Sequence, residues 1–211
     1  MANVDELVSL PKEAFTGTKI YNEKLPLGPI KFEKVNFEHM GAKLSELSLT
    51  LQPGQLCTIQ SNPLTHASAI LQTLGFFKPV QNGSISINGV NLAEHTPNEF
   101  RQSVLYVPPW PTLFVGSLLE NMTMFQPQYE SLAMQYANAL GLTNTIAQLP
   151  AGYATHVSED NNKMIGKGAI KLMAIIRAIV QSPSVLLLDE PMIALDSDAQ
   201  ARLLTLLRSL K

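Results

Sequence analysis

The sequence predicts an α/β protein with a mixed β-sheet core and a helical block inserted into it. Alternating or apolar runs that are typical of strands fill the first half of the chain, and a helical spacing of apolar residues follows from about residue 117. Near the end, the apolar run Val185–Leu188 leads directly into Asp189 and Glu190. An apolar strand with carboxylates at its carboxyl end is typical of a parallel sheet.

The composition indicates one domain that rests against other surfaces. The chain has 211 residues, of which 45% are hydrophobic, and this is enough for one sizeable core. Charged residues make up 15%, below the ~25% usual for soluble domains. The net charge of -2 gives no reason to expect nucleic acid as a partner. We expect Cys57 to be a buried, inert thiol, and we expect a chain that is soluble by itself, because no apolar run is long enough to span a membrane.

The first part of the chain predicts a linker, five strands and two helices. Residues 1–29 are polar and turn-rich, so we interpret them as a linker or extension, and we expect the domain to occupy 30–211. A helix from Thr65 is closed by Gly75, and a second, short helix starts near Thr96. The predicted strands are 30–37, which has one irregular step, 47–51, 56–60, 84–88, which ends in an Asn-Gly turn, and Val104–Val107.

The second part predicts mainly helix, with a helical subdomain at about 117–180. A helical pattern with Gly141 and Pro150 as punctuation covers 117–149, and a further helix covers 169–180. Ser197 and Asp198 are predicted to cap the last helix, whose leucines are dense enough to be buried. These leucines stand at 203, 204, 206, 207 and 210.

One long segment resembles a known family. Residues 149–196 read LPAGYATHVSEDNNKMIGKGAIKLMAIIRAIVQSPSVLLLDEPMIALD, which resembles the signature-to-D-loop region of an ABC transporter ATPase domain of the exporter type. Upstream, GPIKFEKVNF, NGSISING and VLYVPPWPTLFVGSLLENM resemble the first strand, the strand pair after the first helix and the Q-loop region. The resemblance covers roughly 28–211. It implies an ABC ATPase-like P-loop NTPase core of mixed sheet, with an antiparallel β subdomain and an inserted helical subdomain.

The family's phosphate loop, G-x-x-x-x-G-K-[ST], has no intact counterpart. In that loop the glycines let backbone N–H groups converge on the phosphates, the lysine supplies charge and the hydroxyl binds magnesium. Residues 61–68 read SNPLTHAS, without glycine or lysine. One register puts His66 in the lysine's place, and the other puts Ala67 there and Ser68 at the magnesium hydroxyl. The candidate phosphate-loop residues are Asn62, Thr65, His66 and Ser68.

Other positions of the family's nucleotide site are also altered. The resemblance places Pro109 at the Q-loop glutamine and His39 near the aromatic residue that stacks on adenine. Gly166 and Gly168 fall in the signature, with Lys167 between them in place of a glycine. The family's switch histidine is expected beyond the last residue.

Three acidic positions match the family. The resemblance implies that Asp189 is the water-mediated magnesium partner, Glu190 the general base for the attacking water, and Asp196 the acid of the D-loop. A structural interpretation stays open, in which Asp189 accepts backbone N–H bonds at the end of its strand and Asp196 marks the entry to a helix.

The favoured hypothesis is a degenerate ABC transporter nucleotide-binding domain, catalytically impaired, with poor or absent ATP binding and hydrolysis. It would act as a structural or regulatory cytoplasmic half of an exporter-like assembly. The resemblance implies ATP and magnesium as cofactors, if any bind, and a transmembrane domain and a second ABC ATPase domain as partners at the cytoplasmic face of the membrane. The alternatives are a functional ATPase domain with an unusual phosphate loop, favoured by the intact Asp189-Glu190 pair, and a free-standing protein-binding module, favoured by the low charge content.

Overall fold

A computed structural model of the chain describes residues 28–39, 42–61, 65–80, 82–95, 97–158 and 165–210. The predicted linker, up to residue 27, and Asn62 of the predicted phosphate loop lie outside the described residues. No helix in the described ranges is both long enough and apolar enough to cross a membrane.

The first half of the chain forms a four-stranded antiparallel sheet in the order β2-β1-β3-β4. Lys34 takes a positive φ of 47° at the point where β1 shifts its register against β2 and β3, so the predicted irregular step is confirmed as a bulge. The sheet also confirms the predicted strands at 30–37 and 84–88 to within two residues, whereas β2 starts five residues before the predicted 47–51. The strands are β1 (Ile30–His39), β2 (Ala42–Leu51), β3 (Asn82–Ile87) and β4 (Val90–Asn91).

Two helices share the core of this sheet, one between β2 and β3 in the sequence and one after β4. They are α1 (Thr65–Leu74), which Gly75 follows as predicted, and α2 (Pro97–Ser103). The rings of Phe76 and Phe100 lie 4.4 Å apart between their centroids in this core. Its other large buried side chains are Phe32, Val35, Ile70, Leu74, Ile85 and Ile87.

A parallel pair, β5 (Val104–Val107) and β8 (Val185–Leu188), lies between the antiparallel sheet and the helical block. Both strands are confirmed to the residue. The predicted strand at 56–60 is wrong, because residues 55–61 form no regular secondary structure. Cys57 in that segment is exposed, so its expected burial is also wrong. A strand needs a neighbour to take its backbone hydrogen bonds, and none of the described strands pairs with this segment.

The helical block is built around the long helix α6. The single pattern predicted for 117–149 forms three helices, because Met124 and Phe125 take positive φ values of 55° and 59° and Gly141 takes 77°. That this block is a separate subdomain at about 117–180 stays a prediction. Its elements are β6 (Gly116–Ser117), α3 (Leu118–Thr123), α4 (Glu130–Ala139), α5 (Leu142–Ala147), β7 (His156–Val157) and α6 (Lys167–Ile179).

The last helix, α7 (Ser197–Ser209), packs on the same block. Its cap is Asp196, whose side chain accepts a hydrogen bond from the backbone N–H of Ala199 at 2.9 Å, so the predicted cap of Ser197 and Asp198 is wrong by one residue. The predicted burial of its leucines is confirmed for 203, 206 and 207 and wrong for Leu210, which follows the last helical residue and is exposed.

Candidate functional site

The carboxyl end of β8 meets the first turns of α1 at Asp189. The Asp189 side chain is buried, at 2% exposure. Ser68 Oγ donates to Asp189 Oδ1 at 3.0 Å, although 121 residues separate them in the sequence. The structure therefore brings two of the predicted site residues, the candidate magnesium hydroxyl and the candidate magnesium carboxylate, into direct contact.

The second oxygen of the same carboxylate is bonded by a residue that the sequence analysis missed. Tyr106 Oη donates to Asp189 Oδ2 at 2.8 Å. Burial, and then the hydrogen bond to Asp189, raise the pKa of Tyr106 to about 12, so the phenol stays protonated and keeps its donor. No sequence motif marks Tyr106, and only the pairing of β5 with β8 shows that it lies beside Asp189.

Two hydroxyl groups thus stabilise Asp189. The structural interpretation of Asp189 expected backbone N–H donors, and the described bonds to its carboxylate come instead from Ser68 and Tyr106. Charge-assisted hydrogen bonds of this kind are among the stronger ones in proteins, so they offset much of the cost of burying the carboxylate.

The backbone of Asp189 is held by a buried lysine. Lys171 of α6 is 1% exposed, and its Nζ donates to the carbonyl oxygens of Asp189 at 2.8 Å, Pro108 at 2.8 Å and Pro109 at 3.3 Å. Desolvation lowers the pKa of Lys171 to about 8, and it outweighs the opposite effect of the carboxylates of Asp189 and Glu190. This contact places Pro109, the predicted Q-loop position, beside the end of β8.

Glu190 stands in the turn that leaves β8. Its φ is 44°, a left-handed conformation that is uncommon for a residue other than glycine. The turn closes with a hydrogen bond from the backbone N–H of Ile193 to the Glu190 carbonyl at 3.1 Å. Such backbone strain is often found at functional sites, and the Glu190 side chain is half-buried.

The two glycines at the predicted signature position have different surroundings. Gly166 precedes α6, and a Cβ there would meet nothing within 4 Å. At Gly168 a Cβ would lie 2.6 Å from the carbonyl oxygen of Ala194, so only glycine allows this close approach. Gly168 therefore packs the start of α6 against the segment that ends in Asp196.

The remaining predicted residues are described only in part. The side chains of His39, Thr65 and His66 lie outside the described residues, as does all of Asn62. The backbone N–H of Ala67 donates to Ser61 Oγ at 3.0 Å. In the described ranges no three side chains of His, Cys, Asp or Glu cluster as metal ligands. Ser68 and Asp189 supply oxygen atoms of the kind that magnesium prefers, so these two residues fit a magnesium ion.

Comparison with known proteins decides the family. The model of the ABC transporter family matches residues 44–193, more than half of the chain. The chain belongs to the ABC transporter family. Its relatives include the ABC-type transporter atr1 of Mycosarcoma maydis, which is 34% identical over 184 residues that cover 82% of this chain and 13% of that protein. The putative export ATP-binding/permease protein of Rickettsia bellii is 26% identical over 216 residues, which cover 100% of this chain and 37% of that protein.

A solved structure agrees with this family and with the predicted fold. The structure of a bacterial Atm1-family ABC exporter with ATP bound matches 97% of this chain and 36% of its own, with a TM-score of 0.80 and 25% sequence identity. The chain is thus an exporter-type ABC nucleotide-binding domain of the predicted P-loop NTPase fold. The chain spans between about an eighth and somewhat over a third of the length of the relatives described above.

Proposed function

We propose that this ABC domain binds ATP weakly or not at all, and that it acts as a structural or regulatory cytoplasmic half of an exporter-like assembly. The observation that carries the proposal is the phosphate loop. The contact between Ser68 and Asp189 favours the register in which Ser68 is the magnesium hydroxyl, and this register puts Ala67 in the lysine's place. An alanine supplies neither charge nor a hydrogen bond to a phosphate.

The magnitude of the loss supports weak binding. Hydrogen bonds to charged groups contribute roughly 1.5–3 kcal/mol each. The loop 61–68 replaces both glycines and the lysine, and it includes Pro63, which has no N–H. We therefore count a loss of about three hydrogen bonds to the phosphates. Three bonds correspond to roughly 5–9 kcal/mol, and micromolar binding amounts to only about 8 kcal/mol in total.

The Asp189 carboxylate keeps room for a magnesium-bound water. The hydroxyls of Ser68 and Tyr106 use two of its roughly four lone pairs. If magnesium binds, Ser68 and Asp189 are the residues that would hold it. The ion would supply charge to neutralise phosphate oxygens.

The functional ATPase domain is the second candidate. It is favoured by the Ser68–Asp189 contact, which preserves the magnesium-binding pair, and by Glu190 directly after it. In this reading Glu190 orients and deprotonates the attacking water, and its fixed backbone turn limits the positions of its carboxylate.

The proposed partners are the transmembrane domain of an exporter and a second ABC domain, at the cytoplasmic face of the membrane. Large apolar side chains that are exposed near the Q-loop position support a partner on this surface. Trp110 is 55% exposed and Phe114 47%, and both follow Pro109 closely in the sequence. A free-standing protein-binding module would use the same surface, and membrane helices encoded on the same polypeptide would argue against it.

A titration with Mg-ATP tests the proposal. We expect no saturable binding to the chain below about millimolar concentration, from the loss of hydrogen bonds above. Ala67→Lys should then bind at least about tenfold more tightly, and His66→Lys, the matched control for the other register, should not. A micromolar dissociation constant of the unchanged chain that depends on magnesium would overturn the proposal. If turnover is measured, Glu190→Gln should abolish it.

A further inference from the structure

The parallel ladder between β5 and β8 stops at Asp189. The backbone N–H of Asp189 donates to the carbonyl of Val107 at 3.0 Å, as a parallel ladder requires. The next bond of such a ladder runs from the N–H of residue 109 to the carbonyl of Asp189. Residue 109 is a proline and has no N–H, so the ladder cannot supply a donor to this carbonyl.

The Lys171 ammonium stands where that donor is missing. Its Nζ lies 2.8 Å from the Asp189 carbonyl oxygen, and it also bonds the carbonyls of Pro108 and Pro109 at 2.8 and 3.3 Å. An ammonium group has three N–H bonds and here has three acceptors. Buried polar groups almost always have partners, and two adjacent prolines cannot provide any donors of their own.

A second lysine, one turn earlier on α6, contacts the same loop. Lys167 Nζ lies 5.1 Å from the centroid of the Trp110 ring, a cation–π arrangement. Because side chains four residues apart lie on the same face of a helix, Lys167 and Lys171 fasten the loop 108–110 at two neighbouring points. The contact of Lys167 with Trp110 is at the exposed Trp110 ring, and the contacts of Lys171 are buried.

We propose that Lys171 is a positioning residue that replaces the backbone N–H missing at Pro109. It thereby holds the loop 108–110 against the carboxyl end of β8, where Asp189 and Glu190 stand. Lys171 and Pro109 form a compensating pair, since each explains the presence of the other. This inference goes beyond the proposed function, because it holds whether or not nucleotide binds.

A double-mutant cycle between positions 171 and 109 tests the inference. Pro109→Gln restores a backbone N–H at the place where the ladder needs it. We expect Lys171→Met to lower the urea concentration at the midpoint of unfolding strongly in the original chain. In the Pro109→Gln background, the same substitution should lower it much less. The coupling should be about tenfold in the unfolding equilibrium constant, which corresponds to about 1.4 kcal/mol. If Lys171→Met alone does not fold, the inference predicts that the double variant does, and Lys171→Gln, which keeps two N–H donors, gives the intermediate case.

Trp110, the only tryptophan in the chain, provides an independent readout. Its fluorescence should change in Lys171→Met, because the loop 108–110 is then released from β8, and this change should be much smaller when Pro109→Gln is also present. Lys167→Met is the matched control, because it removes the contact with the Trp110 ring and should change the emission without coupling to Pro109→Gln. Additive effects of the 171 and 109 substitutions on stability, or a Trp110 emission that is the same in Lys171→Met and in the original chain, would overturn the inference.

Discussion

Removal of the Asn121 side chain should strongly lower the free energy of unfolding of the helical block. Asn121 is fully buried, at 0% exposure. Its Oδ1 accepts from the Phe114 N–H at 2.7 Å and from Arg177 Nη2 at 2.9 Å, and its Nδ2 donates to the carbonyls of Phe114 at 2.9 Å and Ser117 at 3.0 Å. One amide therefore ties the segment before α3 to helix α6.

The expected loss for Asn121→Ala follows from these four bonds. Truncation leaves one N–H, two carbonyls and one guanidinium N–H without this partner. At about 1 kcal/mol for each bond, the free energy of unfolding should fall by about 4 kcal/mol. For a chain of this size, that corresponds to a decrease of roughly 8–16 °C in the melting temperature.

Urea and thermal unfolding followed by circular dichroism measure this loss. Asn138→Ala is the matched control, because Asn138 is exposed on α4 and should change the stability by no more than about 0.5 kcal/mol. Asn121→Asp keeps an oxygen that can accept from the Phe114 N–H and from Arg177 and loses the two donor bonds, so its loss of stability should lie between those of Asn121→Ala and Asn138→Ala. A loss within about 1 kcal/mol of the control would refute the reasoning, since the buried amide would then contribute little.

Three further changes test other features. Asp196→Ala should lower the free energy of unfolding by about 1 kcal/mol in urea, because the side chain caps α7, and Asp198→Ala, which removes only a surface ion pair, should cost less. Gly168→Ala puts a Cβ 2.6 Å from a backbone oxygen and should cost roughly 1–3 kcal/mol, whereas Gly166→Ala, which meets nothing within 4 Å, should not. For Lys171 the folded pKa is about 8 and the reference value 10.5, so the unfolded chain binds more protons between these values. Between about pH 8 and 10.5, the free energy of unfolding of the original chain should therefore rise relative to that of Lys171→Met. If the free energies of unfolding of the two proteins change with pH in parallel, the lowered pKa of Lys171 is contradicted.

The fold was largely predictable because its strands carry local signals. β5 and β8 are apolar runs bounded by turn residues, and both were predicted to the residue. The segment 56–60 carries the same kind of local pattern and forms no strand, because a strand also depends on a neighbour that the pattern does not reveal. The breaks at Met124 and Phe125 were not predictable, since neither residue favours a left-handed backbone.

The candidate site was predictable only where a motif marks it. Ser68 and Asp189 were predicted separately, and the structure joins them. Tyr106 and Lys171 belong to no motif, and their importance comes from contacts with residues 83 and 18 positions away. Such contacts depend on the register of the strands and on the face that a helix presents, and these become known only with the tertiary structure.

The proposed pairing of Lys171 with Pro109 makes the two positions unequal in what they tolerate. A proline at 109 with no donor at position 171 would leave the Asp189 carbonyl without the hydrogen bond that Lys171 gives it. Replacing the lysine alone should therefore be harmful, whereas a residue at 109 that has an N–H should make the lysine less necessary. An engineer who redesigns this edge of the sheet should change both positions together.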